Sequence, residues 1–310
     1  MTVATFSADS ERVESGDDRV SKSTSSFSMS LGDEKLSFAT TTWQPQQQQQ
    51  IKALVFVCHG YGEYLSASYD YLAGQLSGRA GLLVFGHDHL GHGRSGGERV
   101  QILNSYDSDY AAPCLAHCRQ RRQDHPDLPL FIVGHSMGGL ITLLTLLQNE
   151  DRRLFRGCIL MAPLIEVDPS MGTPFNILMA RMLSSFLPWV QISGVKKDFV
   201  TRDDKERERM REDPLYWSGG IKVKQGYAGL KALESLEARM DRIQLPLFIQ
   251  QGAEDKVVRP EGAEKLFKAV GSEDKELKMY PEAYHDMYVE FPEVRDVVVQ
   301  DCLDWLLKRI

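Results

Sequence analysis

The sequence is short of everything that would mark a disulfide-stapled, membrane-spanning or nucleic-acid-binding chain. Cysteine is scarce, with five in 310 residues at Cys58, Cys114, Cys118, Cys158 and Cys302, an odd number with no CxxC spacing. That usage argues for free thiols in a reducing compartment. Long apolar runs are missing as well. The longest candidate, Leu140 to Leu147, falls far below the ~20 residues a spanning helix needs. The N-terminal segment has no apolar signal core and carries Asp9, Glu11, Glu14, Asp17 and Asp18, which argues against a secretory or transit peptide and for a cytoplasmic address. Nor is there an excess of positive charge. With 36 Lys and Arg against 43 Asp and Glu the net charge is -7, so no basic field exists to hold phosphate backbones, and no nucleic-acid partner is expected.

What is present is a chain with 42% hydrophobic residues, long enough for two domains or for one large α/β domain carrying an insertion. Residues 1–26, rich in Ser, Thr and acid, read as a disordered arm. Gln46 to Gln50 read as a hairpin loop or surface connection. From Ala53 onward, near-continuous apolar runs predict strands at Ala53 to Cys58, Leu82 to Phe85, Leu130 to Val133, Cys158 to Met161, Leu245 to Gln250 and Glu276 to Tyr280. Amphipathic stretches between them predict helices over Ser68 to Arg79, Tyr106 to Asp124, Gly139 to Gln148, Pro260 to Val270 and Glu293 to Lys308. This alternation spells an α/β fold with a mostly parallel central sheet flanked by helices. The rhythm breaks over residues 165–242, too long for a crossover, so an inserted cap is expected between core segments 27–164 and 243–310. Within it Phe175, Leu178, Met179, Met182, Phe186 and Leu187 recur at helical spacing; such a stripe reads first as core and second as a lipid-binding surface. The run of alternating charges in Thr201 to Glu212 reads as a solvated helix face.

The chemistry centres on Gly134-His135-Ser136-Met137-Gly138-Gly139, a GxSxG placed directly after a predicted buried strand and before a predicted helix. A sharp turn that presents Ser136 in a strained conformation needs flanking residues without side chains, which Gly134 and Gly138 supply. A serine hydroxyl needs a base, and the base needs a carboxylate to orient it and stabilise its imidazolium. His285 is the only histidine after His135, so it is the late base. The acid lies in Gly252-Ala253-Glu254-Asp255, after the predicted strand ending at Gln250; Asp255 is preferred, with Glu254 its rival and Asp286 a weaker one. The oxyanion needs two backbone donors, assigned to the N–H of Met137 at the helix start and the N–H of Tyr61 in the loop His59-Gly60-Tyr61-Gly62-Glu63. The alternative for that loop is a plain tight glycine turn.

His87-Asp88-His89-Leu90-Gly91-His92 has the HxHxxH skeleton of binuclear zinc hydrolases, but Gly91 stands where such sites place an acid, so no metal and no other cofactor is expected. A binding protein that kept the fold and lost catalysis would show a damaged nucleophile, base or elbow glycine, and none is missing. A serine at the elbow also separates the chain from hydrolases that use an aspartate there. Cys58, beside the oxyanion loop, reads as a small buried hydrophobe.

His59-Gly60-Tyr61-Gly62-Glu63, Phe85 to Ser95, Gly134 to Gly139, Gly252 to Asp255 and Ala283-Tyr284-His285 occur in an order that resembles the monoacylglycerol lipases, in the serine-hydrolase branch of the α/β-hydrolase superfamily. The resemblance runs from about Ala53 to Leu306 and is weakest in the cap. It implies the α/β-hydrolase fold with a helical cap, and cofactor-free cleavage of monoacylglycerols to fatty acid and glycerol by a Ser136, His285, Asp255 triad. A lipid monoester is the implied substrate, met through transient peripheral membrane contact by the cap. It also implies that Glu63 and His135 lie near the glycerol end of the substrate, and that Leu and Met side chains of the cap line an acyl tunnel. Two departures bear on head-group selectivity: Tyr64 to Ser68 lacks the arginine usual in mammalian relatives, and Met210 stands where they show a tyrosine. Lysophospholipase or another carboxylesterase of single-chain lipids is the alternative, and transfer of the acyl group to another alcohol a further one.

Overall fold

The computed structural model describes residues 4–7, 9–13, 18–46, 50–167, 173–194 and 197–310. Its strands are β1 (Ala4–Phe6), β2 (Glu11–Val13), β3 (Val20–Leu31), β4 (Glu34–Pro45), β5 (Ala53–Cys58), β6 (Leu82–His87), β7 (Leu130–His135), β8 (Gly157–Met161), β9 (Gln191–Gly194), β10 (Gly220–Lys222), β11 (Leu247–Gly252) and β12 (Lys275–Tyr280). The α-helices are α1 (Leu65–Ser68), α2 (Asp70–Ala80), α3 (Ala112–Asp124), α4 (Met137–Gln148), α5 (Pro174–Phe186), α6 (Asp204–Glu212), α7 (Val223–Glu237), α8 (Pro260–Ala269) and α9 (Pro292–Leu307).

β5 and β7 lie at the centre of the main sheet because every residue of both can be buried: Ala-Leu-Val-Phe-Val-Cys and Leu-Phe-Ile-Val-Gly-His expose nothing. The order is β1-β3-β4-β6-β5-β7-β8-β11-β12, with β2 paired to β3. From β6 to β12 all pairings are parallel, while β4 joins β6, and β3 joins β4, antiparallel. The period of two along each central strand splits the core in two. Leu54, Phe56 and Cys58 pack with Cys114, Leu140, Leu143 and Leu144 on one side of the sheet. Val55 and Val57 pack with Tyr69, Leu72, Leu303 and Trp305 on the other. The sheet and its helical layers therefore match the expected α/β class, with the strand ending at Gly252 starting at Leu247 rather than Leu245.

The N-terminal arm is a correction. Residues 1–26, expected to be disordered, contribute β1, β2 and the first part of β3 among the described positions. The twelve residues of β3 pair with β4 in an unbroken register from Val20↔Pro45 to Leu31↔Glu34. Backbone pairing supplies the order that the Ser- and Thr-rich composition hid, and Phe27, Met29 and Leu31 anchor one face in the core. Of the glutamine tract, residues 47–49 lie outside the described positions.

Between β8 and β11 stand α5, β9, α6, β10 and α7, with β9 and β10 forming a separate antiparallel pair. The segment is bonded to the core at several points: Trp217 N–H donates to the Gly62 carbonyl at 2.7 Å, the Tyr61 hydroxyl to the Gly220 carbonyl at 3.0 Å, and the Tyr64 hydroxyl to Asp213 at 2.6 Å. Leu236 of α7 is fully buried in the core beneath α4. α6 behaves as its charge pattern predicts, exposed along most of its length with Met210 its one buried residue. The α5 stripe does not: Leu178, Met179, Met182, Phe186 and Leu187, read first as core, are exposed. The side chain of Phe175 lies outside the described positions.

Beyond the β4–β6 ladder, one carboxylate fastens the antiparallel extension to the helical layer. Lys22 of β3, buried, donates to Asp70 Oδ2 at 2.7 Å and to the Ser66 carbonyl at 2.7 Å, and Trp43 Nε1 of β4 donates to Asp70 Oδ1 at 2.8 Å. Asp70→Ala leaves a buried ammonium with the Ser66 carbonyl but no counter-charge, and an indole N–H without its acceptor, so it should cost about 2 kcal/mol, with Asp70→Asn costing less. Urea unfolding checks this, and an alanine variant as stable as the parent would mean that the β4–β6 ladder and the apolar faces hold the extension without Asp70.

Candidate active site

The end of β7 and the start of α4 form the elbow that the motif predicts. Ser136 has φ 54 and ψ -120, a conformation that side chains rarely adopt. It is held there by close packing of backbone on both sides. A Cβ on Gly138 would run into the carbonyl oxygens of Cys58 and His59 at the end of β5, and one on Gly134 into Gly138 and Thr142 of α4. Only glycine at both positions lets the first turn of α4 press against β5 and β7.

Asp255 follows β11 and His285 follows β12, so adjacent parallel strands bring them together at the carboxyl edge of the sheet. His285 Nε2 lies 2.8 Å from Ser136 Oγ, placed to accept its proton, and His285 Nδ1 lies 2.7 Å from Asp255 Oδ2. Burial pushes the Asp255 carboxyl up, but the facing imidazole and the N–H groups of Val257 and Val258 outweigh it and hold it below the ordinary range. Glu254, its rival in the sequence, is exposed. Asp286, the weaker rival, faces His135 Nε2 at 3.3 Å instead.

Met137 occupies the first position of α4, where a helix leaves its N–H groups unpaired and the dipole favours negative charge. The loop after β5 passes close by: a Cβ on Gly60 would stand 3.1 Å from Ser136 Cβ. Tyr61 is thus beside Ser136, its side chain fastened to the insertion through Gly220. The cavity over Ser136 is lined by Tyr61, Glu63, His135, His285 and Asp286 from the core and by Arg207, Met210, Arg211, Tyr216 and Trp217 from the insertion. Met210, where the resemblance notes a departure, therefore faces the space a leaving group would enter.

Glu63 and His135 line that cavity but are only 2% exposed each. Their polar atoms face protein: His135 Nδ1 is 2.9 Å from Glu63 Oε1, and the Tyr69 and Tyr288 hydroxyls donate to the Glu63 carboxylate at 2.9 Å each. Tyr69 and Tyr288 carry no motif, and nothing in the sequence marks them for this role.

The HxHxxH histidines do not converge. His87 Nδ1 faces His117 Nδ1 at 3.3 Å, His89 donates toward the His59 carbonyl at 3.2 Å, and His92 bonds the Leu90 carbonyl at 2.9 Å. Asp88 accepts from the N–H groups of Leu65 and Arg94 and shapes the loop. Cys58, His89 and Cys114, and separately His135, His285 and Asp286, hold potential ligand atoms within 4.8 Å of one another. In the first group His89 Nδ1 has no partner, whereas a ligating histidine ordinarily donates its second nitrogen. In the second both nitrogens of His285 are already engaged. Cys58 is fully buried, as a small core residue.

Residues 49–292 match the family described as serine aminopeptidase, S33. The chain is 37% identical over 268 residues to monoglyceride lipase of Rattus norvegicus, with 86% of each chain covered. It is 36% identical over 267 residues to monoglyceride lipase of Homo sapiens, again with 86% of each covered. A soluble variant of monoglyceride lipase from Saccharomyces cerevisiae, solved in complex with a substrate analog, superposes with a TM-score of 0.74 at 27% identity, covering 88% of this chain and 92% of that one.

Asp286 gives this site a pH signature. Burial, reinforced by the carboxylates of Glu63, Asp255 and Glu290, lifts its carboxyl well above the usual range against the opposing pull of His135. A raised folded-state pKa means that stability is fully present below the unfolded value near ~3.9 and is lost as pH rises toward the folded one. Asp286→Asn removes that loss, so its thermal midpoint relative to the parent should be higher at pH 8 than at pH 4. Equal differences at both pH values would mean the carboxyl ionises normally in the fold.

Proposed function

The chain belongs to the serine aminopeptidase S33 family and, within it, to the group of monoglyceride lipases, and from that premise we propose that it is an ester hydrolase releasing fatty acid and glycerol from monoacylglycerols. The hydrogen-bonded series Ser136, His285, Asp255 is the observation that carries the mechanism. Ser136 Oγ attacks the ester carbonyl while His285 Nε2 takes its proton, and Asp255 holds the ring by Nδ1 and stabilises the imidazolium. The N–H groups of Met137 and Tyr61 receive the oxyanion. His285 then protonates the departing glycerol oxygen, and a water activated by the same imidazole releases the fatty acid from Ser136.

The alternative, a lysophospholipid, has one specific observation in its favour. Arg207 and Arg211 line the cavity, so a negatively charged head group would find cations there. Both also pair with acids, Arg207 with Asp204 and Arg211 with Glu208 and Asp198, which reduces the charge available. Fatty-acid release from 2-oleoylglycerol, 1-oleoylglycerol, oleoyl-lysophosphatidylcholine and triolein separates the readings. Ser136→Ala should lower monoacylglycerol turnover by at least about 10⁴-fold with the fold intact. Preference for the lysophospholipid would move the function to the alternative, and a fully active Ser136→Ala would remove Ser136 from the mechanism.

Among the described residues no helix is long and apolar enough to cross a membrane. Contact with lipid is instead proposed for the exposed face of α5 and the segment after it, where Phe186 is 77% exposed and Leu178 and Met182 are each 53% exposed. Such a patch, on the same insertion that supplies Met210, Tyr216 and Trp217 to the cavity, suits a peripheral encounter of a cytoplasmic protein with the surface that holds its substrate. Phe186→Asp with Leu178→Asp should weaken sedimentation with phosphatidylcholine vesicles by severalfold while leaving hydrolysis of a water-soluble ester unchanged. Unaltered vesicle binding would assign the encounter to another face.

A further inference from the structure

The proposed triad and oxyanion donors come from four separate stretches of chain, and a single buried carboxylate is bonded at or beside three of them, all but the one that carries Asp255. Glu63 Oε1 accepts from Gly60 N–H at 2.6 Å, from the Tyr69 hydroxyl at 2.9 Å and from His135 Nδ1 at 2.9 Å, and Glu63 Oε2 accepts from the Tyr288 hydroxyl at 2.9 Å. Gly60 is the residue before Tyr61, His135 the residue before Ser136, and Tyr288 sits in the short turn that follows His285. The rings of Tyr69 and Tyr288 stack at 4.7 Å and close the site from behind.

An isolated carboxylate this deep would be strongly disfavoured, and its ordinary response would be to take up a proton. Here burial is the largest influence and acts in that direction, yet His135, His59 and the Tyr288 hydroxyl together hold the Glu63 carboxyl down at about 2. Its oxygens are occupied by protein donors rather than turned toward a ligand, so the contact with glycerol that the resemblance implies is not where this side chain is engaged.

We propose that Glu63 is a positioning residue that locks the oxyanion loop, the nucleophile elbow and the base-bearing turn into one rigid unit. The proposal rests on the triad reading given above. Its physical basis is that a carboxylate hydrogen-bonded to donors from each stretch makes their relative displacement cost several charge-assisted bonds at once. Catalysis is sensitive to such displacement, since misplacement by about 1 Å can cost ~10²-fold in rate. Gln in place of Glu63 keeps an acceptor for Gly60 but substitutes an amide for the second oxygen, so it loosens the unit without opening a cavity.

The experiment uses the full chain and two esters, 1-oleoylglycerol and p-nitrophenyl octanoate, the second of which has no glycerol. Glu63→Gln should lower kcat about 10- to 100-fold on both, by the same factor and with KM little changed, and Glu63→Ala should lower it further. Tyr288→Phe, which keeps the ring stack, should lower kcat severalfold in the parent and by no additional factor in the Glu63→Gln background, because both act through one network. This conservative variant carries the test should Glu63→Gln fold poorly. A loss confined to 1-oleoylglycerol, seen as a raised KM, would overturn the proposal and make Glu63 a contact to glycerol. Unchanged rates on both esters would overturn it as well. Full activity of Ser136→Ala on p-nitrophenyl octanoate would instead strike the triad reading, which keeps the two failures distinct.

Discussion

The contact between the first turn of α4 and the carboxyl ends of β5 and β7 governs everything else at this site. It exists because Gly134 and Gly138 have no side chain, and it forces Ser136 to φ 54. From that one approach follow the exposure of Ser136 Oγ at the sheet edge, the placement of Met137 N–H at a helix N-terminus, and the nearness of the loop that carries Tyr61. The strain at Ser136 is sustained by the packing of α4, whose residues from Met137 to Thr145 are all buried.

Two buried carboxylates then divide the electrostatic work. Asp255, on the β11 side, faces His285, the histidine bonded to Ser136. Glu63, on the β5 side, faces another histidine and two tyrosines and serves geometry. Both are held in the charged form against burial by the donors around them. Asp286, a third acid between them, is pushed toward the neutral form by the same burial and by its charged neighbours. The three acids thus respond to burial in opposite directions, according to how many donors each one faces.

The segment between β8 and β11 completes the cavity and leaves an apolar face outside. Its bonds to Gly62, Tyr61 and Tyr64 fall on the oxyanion loop and the residues beside it, so the roof over Ser136 and the loop that would bind the oxyanion are mechanically linked. The face it exposes, with Phe186 and Leu178, is a contiguous apolar surface of the kind that suits contact with a partner or a lipid surface.

Features whose cause is local were legible in the sequence. The elbow could be read because glycine at two positions around a serine, between a buried apolar run and a helix, is a short-range requirement of the backbone. The central strands could be read because burial on both faces demands continuous apolar residues. His285 followed by elimination, as no other histidine comes after His135. Features decided by packing between distant segments were not legible. The described strands within residues 1–26 looked incapable of order because strand pairing with β3 and β4, rather than their own composition, holds them. The α5 stripe has the spacing of a core helix, and only the position of the insertion on the fold leaves it uncovered. Asp255 and Glu254 are adjacent in one turn, and which one meets His285 depends on how β11 and β12 lie side by side. Glu63 most of all required the structure: its donors come from residues 60, 69, 135 and 288, a gathering that no periodicity records, because the sheet order alone brings those four places together.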